Sequence, residues 1–310
     1  MPAAPAAFDG LTFLQRGWLS LNNVLLHGAP GEGATLVDSG HCAHAVQTLA
    51  LVRHALGDEP LARIVNTHLH SDHCGGNATL QRAFAAAPVV IPPGQWDAVQ
   101  HWDEEALSYR PTRQRCERFR ADAVLAPGAT LHCGGRAFDV HAAPGHDPHS
   151  VILFDAAHGV LISADALWEN GFGVVFPELD GVGAYDDVAA VLDLIERLPV
   201  QWVLPGHGAP FRDVAGALAR ARSRLAGFRA DPARHDRHAA KVLLKFHLLE
   251  ERCEPLPALR EWVAAAALMR GMWQRLGRPG GSIEAWCDAL VAELCAAGVL
   301  ALRDGVVFDC

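Results

Sequence analysis

Thr67-His68-Leu69-His70-Ser71-Asp72-His73-Cys74-Gly75-Gly76-Asn77 decides the reading of this chain. It follows a run with strand character, Ile64 to Asn66, and precedes a helical stretch, so its polar side chains gather in a loop at a strand end. Three imidazoles and a carboxylate fall within His68 to His73, and an apolar core has no cheap way to satisfy all four. Neutral imidazole and carboxylate are the ligands that borderline first-row divalent ions prefer. His68 and His70 alternate and can point the same way from extended backbone. Asp72 and His73 lie one short turn further on, where they can serve a second ion. Gly75 and Gly76 offer either positive φ or close backbone approach, which lets the chain turn tightly around such a centre. Cys74 reads as a small buried neighbour rather than a ligand.

Working outward, three further pieces carry the same character. His146 sits in Ala143-Pro144-Gly145-His146-Asp147-Pro148-His149-Ser150, Asp165 in Ile162-Ser163-Ala164-Asp165, and His207 in Leu204-Pro205-Gly206-His207-Gly208. Each follows a strand-like run, and layered α/β folds assemble sites from such strand ends. His149 and Ser150 read as loop residues, with His149 able to reach a substrate.

Composition sets the bounds. The chain has 310 residues, half of them hydrophobic and 20% charged, which describes a compact globule of one large or two unequal domains and excludes a disordered protein. The longest apolar runs, such as Trp262 to Met269, are too short to cross a bilayer. Met1 to Ala7 shows neither a basic residue nor an apolar segment, so no export signal is expected and the expected compartment is the cytoplasm. A formal net charge of −9 argues against wholesale coating of nucleic acid or anionic membrane. The eight cysteines form no C-x-x-C pair and read as reduced thiols, mostly small core fillers. Lys241 and Lys245 are the only lysines among many arginines, a bias that reads as base composition.

The first two-thirds alternates short β-branched runs with Gly/Pro punctuation and amphipathic stretches, the mark of a layered α/β fold. Strands are predicted at 24–27, 34–37, 64–66, 89–91, 137–141, 151–154, 160–162 and 202–204, and helices at 43–55 and 187–198. Val188, Val191, Leu192 and Ile195 share one helical stripe. The segment 212–237 reads as a charged helix ending in a loop at Asp231-Pro232, with Arg220, Arg222 and Arg224 on an exposed face. Beyond it come a helix at 239–250, a break at Pro255 and Pro257, a helix at 258–276, and a last helix capped by Ser282. Asp304-Gly305 then signals a type I′ hairpin. Helices followed by a hairpin outline a winged helix, so the expected division is 1–228 and 229–310.

These residues resemble the metallo-β-lactamase superfamily. The H-x-H-x-D-H pattern stands as His68, His70, Asp72 and His73, and the family's later His, Asp and His match His146, Asp165 and His207, over roughly residues 10–225. The resemblance implies a four-layer αββα sandwich holding two divalent ions, zinc in the first place, with iron or manganese as alternatives. The first ion would take His68, His70 and His146, the second Asp72, His73 and His207, with Asp165 bridging. Asp38 matches an early aspartate that orients a ligand histidine. A hydroxide between the ions would be the nucleophile, positioned by Asp72 as the catalytic residue.

The resemblance also sorts the chemistry. Zinc β-lactamases generally lack the bridging Asp165, and the diiron oxygen-reducing branch replaces an early histidine, so neither is expected. The motif looks like glyoxalase II-type thioesterases and lactonases, though the lysine and tyrosine clamp of glyoxalase II has no match here. The tail resembles that of the lactamase-beta-2-like branch. The expected partner is therefore a small ester-like molecule, a thioester or lactone. A phosphodiesterase or nuclease docking nucleic acid with the tail is the second reading, and a non-catalytic metal-dependent sensor the third. The arginines of Arg110 to Arg120 read either as a solvated insertion or as a flap supplying cations to an anionic substrate.

Overall fold

The computed structural model describes residues 6–310; Met1 to Pro5, part of the stretch read for an export signal, lie outside them. The first sheet runs β1 (Leu11–Leu14), β2 (Asn23–Leu26), β3 (Ala34–Val37), β4 (Leu61–Val65), β5 (Val89–Ile91) and β6 (Ala123–Val124), in that spatial order. The second holds β7 (Thr130–Cys133), β8 (Arg136–Ala142), β9 (Val151–Asp155), β10 (Val160–Ala164) and β11 (Trp202–Pro205), in the order β11-β10-β9-β8-β7. Pairing is mixed: β3, β4, β5 and β6 lie parallel, as do β10 and β11, while the hairpins are antiparallel.

Period-two alternation explains how the layers stack. On β2, Val24 and Leu26 face the second sheet while Leu25 faces outward. On β9, Val151 and Leu153 face the first sheet while Ile152 and Phe154 face outward. Both faces of these strands are covered, so they read as continuous apolar runs rather than alternating ones. Val52, Leu56 and Leu80 cover the first sheet from outside. Val188, Val191, Leu192 and Ile195, the stripe expected from the sequence, cover the second with the helix Val214–Ala230. The result is helix, sheet, sheet, helix.

Four strands were not expected. Thr130–Cys133 exposes Thr130 and His132 and buries Leu131 and Cys133, so its apolar content is halved. Leu11–Leu14 and Ala123–Val124 are the two edges of the first sheet, the latter only two residues long. Cys253–Pro255 is the edge of a third sheet, where a proline is tolerated.

The tail departs from expectation in its joints. The loop expected at Asp231-Pro232 is a single residue. Asp231 accepts from Ala233 N at 3.1 Å and caps a helix that runs from Pro232 to Glu251. Pro257 does not break the chain; it sits in the first turn of the helix Leu256–Ala265, where its missing N–H costs nothing. The long helix expected next is divided at Ala266, whose ψ of 121° is extended, and resumes at Ala267–Arg275. Ser282 does cap the last helix, Ile283–Ala296, accepting from Ala285 N at 3.1 Å. Asp304 (φ 49°) and Gly305 (φ 76°) form the expected turn between β13 (Leu300–Arg303) and β14 (Val306–Asp309). With the edge strand Cys253–Pro255 as β12, these make a sheet ordered β12-β14-β13. Among the described residues no helix is long and apolar enough to cross a membrane.

The cysteines are all free among the described residues, and only Cys74, Cys133 and Cys287 are buried. Cys253 and Cys310 are exposed, so core filling accounts for fewer of them than expected.

Candidate metal centre

Strand ends build the site. Asp38 follows β3, the His68–His73 loop follows β4, His146 follows β8, Asp165 follows β10 and His207 follows β11. Main-chain bonds lock these ends together. Val151 N donates to Thr67 O at 2.9 Å across the two sheets, and Asn22 N donates to Gly206 O at 2.7 Å. Asn22 Nδ2 also donates to Pro205 O and Gly208 O at 2.9 and 2.7 Å, fixing the His207 loop from both sides.

All seven candidate ligands are buried, and they fall into two groups. His70 Nδ1 lies 3.0 Å from His68 Nε2 and 2.8 Å from His146 Nε2. Hydrogen bonding fixes which nitrogens face inward bare. His146 Nδ1 donates to Val174 O at 2.5 Å, so Nε2 carries a lone pair. Thr67 Oγ1 donates to Asp38 Oδ2 at 2.7 Å and is left to accept from His68 Nδ1 at 3.3 Å, which bares His68 Nε2. Burial, reinforced by the neighbouring imidazoles, drives the His68 pKa well below its usual value, and burial takes His70 down to about 4. Lone pairs converging at this range repel unless a cation lies among them. Atoms bound to one ion at about 2.0–2.1 Å stand about 3.3 Å apart, close to what is seen.

The second group joins Asp72, His73, Asp165 and His207. His207 Nε2 is 3.1 Å from Asp72 Oδ2, and His73 Nε2 is 3.9 Å from Asp72 Oδ2 and 3.5 Å from Asp165 Oδ1. The other oxygen of Asp165, Oδ2, is 3.2 Å from His146 Nε2, so one carboxylate faces both groups. His73 Nδ1 donates to Asp38 Oδ2 at 3.0 Å, which turns Nε2 into the centre, where it is buried without a hydrogen-bond partner. Burial opposes charge on His73, yet Asp165, Asp72 and Asp38 outweigh it and pull its pKa well above the usual value. Burial likewise works against charge on Asp72, but His73 and His207 prevail and hold it down to about 2. The pocket thus draws positive charge to itself, and a divalent ion fits the place that a proton on His73 would fill.

The surrounding backbone is cut to this shape. A Cβ on Gly173 would stand 2.4 Å from His146 Nδ1, and one on Gly206 would stand 2.5 Å from Asp165 Oδ1. Gly75 and Gly76 serve through close approach rather than positive φ. Their Cβ atoms would lie 2.4 Å from Ser71 O and 2.3 Å from Ser39 O respectively. Cys74 is buried, with its thiol on Leu69 O and His70 O at 3.4 and 3.3 Å.

The family model described as the metallo-beta-lactamase superfamily matches residues 16–207, well over half of the chain. The chain belongs to the metallo-beta-lactamase superfamily. It is 28% identical over 161 residues to acyl-coenzyme A thioesterase MBLAC2 of Gallus gallus, covering 49% of this chain and 57% of that protein. It is 34% identical over 145 residues to hydroxyacylglutathione hydrolase of Anaeromyxobacter dehalogenans (strain 2CP-C), covering 47% of this chain and 46% of that one. The chain spans about half the length of the curated relatives it matches. A metallo-beta-lactamase family protein from Thermus thermophilus superposes with a TM-score of 0.57 at 20% identity, covering 98% of this chain and 100% of that one. That likeness is one of fold.

For this superfamily member the structure adds residues that the sequence reading passed over. Asp147 is buried beside His146, its Oδ2 3.8 Å from His70 Nε2. The signal was adjacency to a candidate ligand in the same loop. Trp18 stacks on His207 with ring centres 5.1 Å apart, and Phe176 lies 4.7 Å from the His70 ring. Nothing in the sequence spacing points to either. His149 lies against Gly94, whose added Cβ would meet His149 Nδ1 at 2.1 Å, and it is not in the wall of the central cavity.

The arginines of 110–120 do not reach the centre. All five are exposed; Arg115 pairs with Glu250 and Glu251, Arg110 with Glu104, and Arg120 with Asp122. From this segment only Gln114 reaches the cavity. Arg224, expected on an exposed helix face, is instead half-buried in the cavity wall.

Proposed function

We propose that this protein is a metal-dependent hydrolase of thioesters, with two divalent ions held by His68, His70 and His146 on one side and by Asp72, His73 and His207 on the other. The reading is carried by Asp165, whose two oxygens face the two groups at 3.2 and 3.5 Å. When bound, the ions would supply Lewis acidity to the scissile carbonyl and acidify a water for attack. The chain's own residues do the rest. Asp38 and Val174 O fix which nitrogens of His73 and His146 point inward. Asp72, held ionised by His73 and His207, is the carboxylate placed to position an attacking water. Trp18, Trp168 and Phe176 wall the approach and limit bulk water.

Zinc is our reading of the ions, on histidine-rich ligation. Relatives named acyl-coenzyme A thioesterase and hydroxyacylglutathione hydrolase support the thioester reading, and one named N-acyl homoserine lactonase puts lactones beside it in the substrate panel. A nucleic-acid groove would need a run of cations joining centre and tail. The wall there intersperses Arg224, His238, Lys241 and Lys245 with Val174, Phe176, Phe246, Leu249 and Leu294, and both lysines are already paired with acids. A sensor with a sealed site is disfavoured because the cavity reaches His70, Asp72, His146, Asp165 and His207. The residues from about 229 onward are read as a second, winged-helix-like unit and the compartment as cytoplasm.

Elemental analysis of the purified protein, then turnover of acyl-CoA, glutathione thioester and lactone substrates before and after chelation, tests the reading. Expected are about two ions per chain and thioester turnover lost on chelation and restored by metal. Turnover no better than free metal, on every substrate, would abolish it.

A further inference from the structure

The candidate centre opens into a cavity of about 550 Å³, a volume that suits a drug-sized ligand. It runs from His70 and His207 to the helices Val214–Ala230, Pro232–Glu251 and Ile283–Ala296. Two kinds of surface line its far part. One is hydrocarbon: Phe246, Leu249, Leu294 and Val299, continuing from Phe176 beside the His70 ring. The other is cationic: Arg224, His238, Lys241 and Lys245, which include the chain's only lysines. Beyond the centre's own carboxylates, Glu169 is the one acid in the wall.

The cations differ in how they are engaged. Lys245 is committed to Asp309 and Val299 O. Lys241 pairs with Glu293 at 2.5 Å, at partial exposure. Arg224 meets no carboxylate among the described residues. Its guanidinium donates to Phe172 O at 3.3 Å and lies 6.0 Å from the Phe172 ring. A half-buried guanidinium without an acidic partner, in a protein of net charge −9, is matched to an anion that arrives with the ligand.

Resting on the thioester reading, we propose that this cavity is a two-part substrate site, taking an extended hydrocarbon acyl chain along its apolar wall and the anionic thiol carrier of the same thioester on Arg224. The carbonyl then lies at the candidate centre, with the acyl chain and the carrier both leading from it into the far part of the cavity. Water oxygen adds to the acyl carbon, the C–S bond breaks, and the products are the carboxylate, the carrier thiol and one proton. The sequence reading expected a small substrate; the apolar wall points to a fatty acyl group. The carrier's charge can come from phosphate or from carboxylate, and the test separates them.

Metal-reconstituted protein is assayed on acetyl-, octanoyl- and dodecanoyl-CoA, and on the S-octanoyl thioesters of glutathione and of uncharged pantetheine. We expect kcat/KM to rise about tenfold or more from acetyl- to octanoyl-CoA, as burial of several methylenes allows. Phe246→Ala flattens that rise. Arg224→Ala lowers kcat/KM, chiefly through KM, by roughly tenfold more on the charged carrier than on pantetheine, and Arg224→Lys restores part of the loss. Calorimetric binding of CoA and of glutathione to the protein gives a readout independent of turnover, weakened by Arg224→Ala for whichever carrier is used. Thioester turnover with no chain-length preference, or with equal effects of Arg224→Ala on charged and neutral carriers, overturns the proposal and leaves the parent reading intact. No turnover of any thioester overturns both.

Discussion

Asp38 and Ala164 hold left-handed backbone at φ 59° and 46°, and both stand at strand ends that face the candidate centre. For a non-glycine residue such a conformation costs about 1–2 kcal/mol, so these bends are held in place by what surrounds them. The Asp38 side chain accepts from Thr67 N at 2.8 Å, Thr67 Oγ1 at 2.7 Å and His73 Nδ1 at 3.0 Å. Asp38→Ala leaves all three donors unanswered, and metal affinity is expected to fall about 10–100-fold, measured by competition with a chromophoric chelator. Unchanged affinity would remove Asp38 from the machinery. Away from the centre, buried His235 accepts from Val175 N at 3.1 Å, and burial lowers its pKa to about 4. The unfolded chain therefore binds more protons than the folded one between about pH 4 and the ordinary histidine value of about 6.5. Stability on this account is fully present above that window and declines as pH falls through it. Denaturant midpoints for His235→Gln should vary less between pH 7 and pH 4.5 than those of the parent protein; equal slopes would show that His235 does not contribute.

Caps and edges decide the elements. Ser282 and Asp231 each satisfy an N-terminal amide of the helix that follows, at 3.1 Å in both cases. Ser282→Ala is expected to cost about 1 kcal/mol, read as a lower midpoint in urea with the same m-value. No shift would mean that the helix end frays regardless. Ser282 was legible because serine before an apolar-periodic run is a local signal. Thr130–Cys133 and Leu11–Leu14 were not, since a half-exposed or edge strand lacks the apolar run that marks a central one. The split at Ala266 also escaped, because apolar periodicity continues through it and only ψ changes. Pro257 misled in the opposite sense: proline ends helices from within but opens them at the first turn, and the local sequence does not say which.

At the scale of the molecule the tail is not an appendage. Val174 and Leu179, from the segment after β10 (Leu179 at the end of the short helix Phe176–Leu179), are buried in the same cluster as Leu244, Leu259, Trp262 and Met272 of the C-terminal helices. Val174 O also holds His146, so the tail steadies a candidate ligand through its packing. Removing residues 232–310 should expose that cluster, giving a less soluble product with a depressed melting temperature and weakened metal binding. A truncated protein with the parent's Tm and metal content would refute this coupling. The sequence by itself determined the candidate ligands, their grouping at strand ends and the layered α/β plan. Those follow from local chemistry and from periods of two and 3.6 residues, which neighbouring residues express without help. Tertiary structure alone decided the rest: that Asp165 turns one oxygen to each group, that Trp18 and Phe176 cover the histidines, and that Arg224 enters the cavity rather than the solvent. Those outcomes depend on contacts between residues far apart in the chain, such as Arg224 with Phe172 O, which carry no periodic signature.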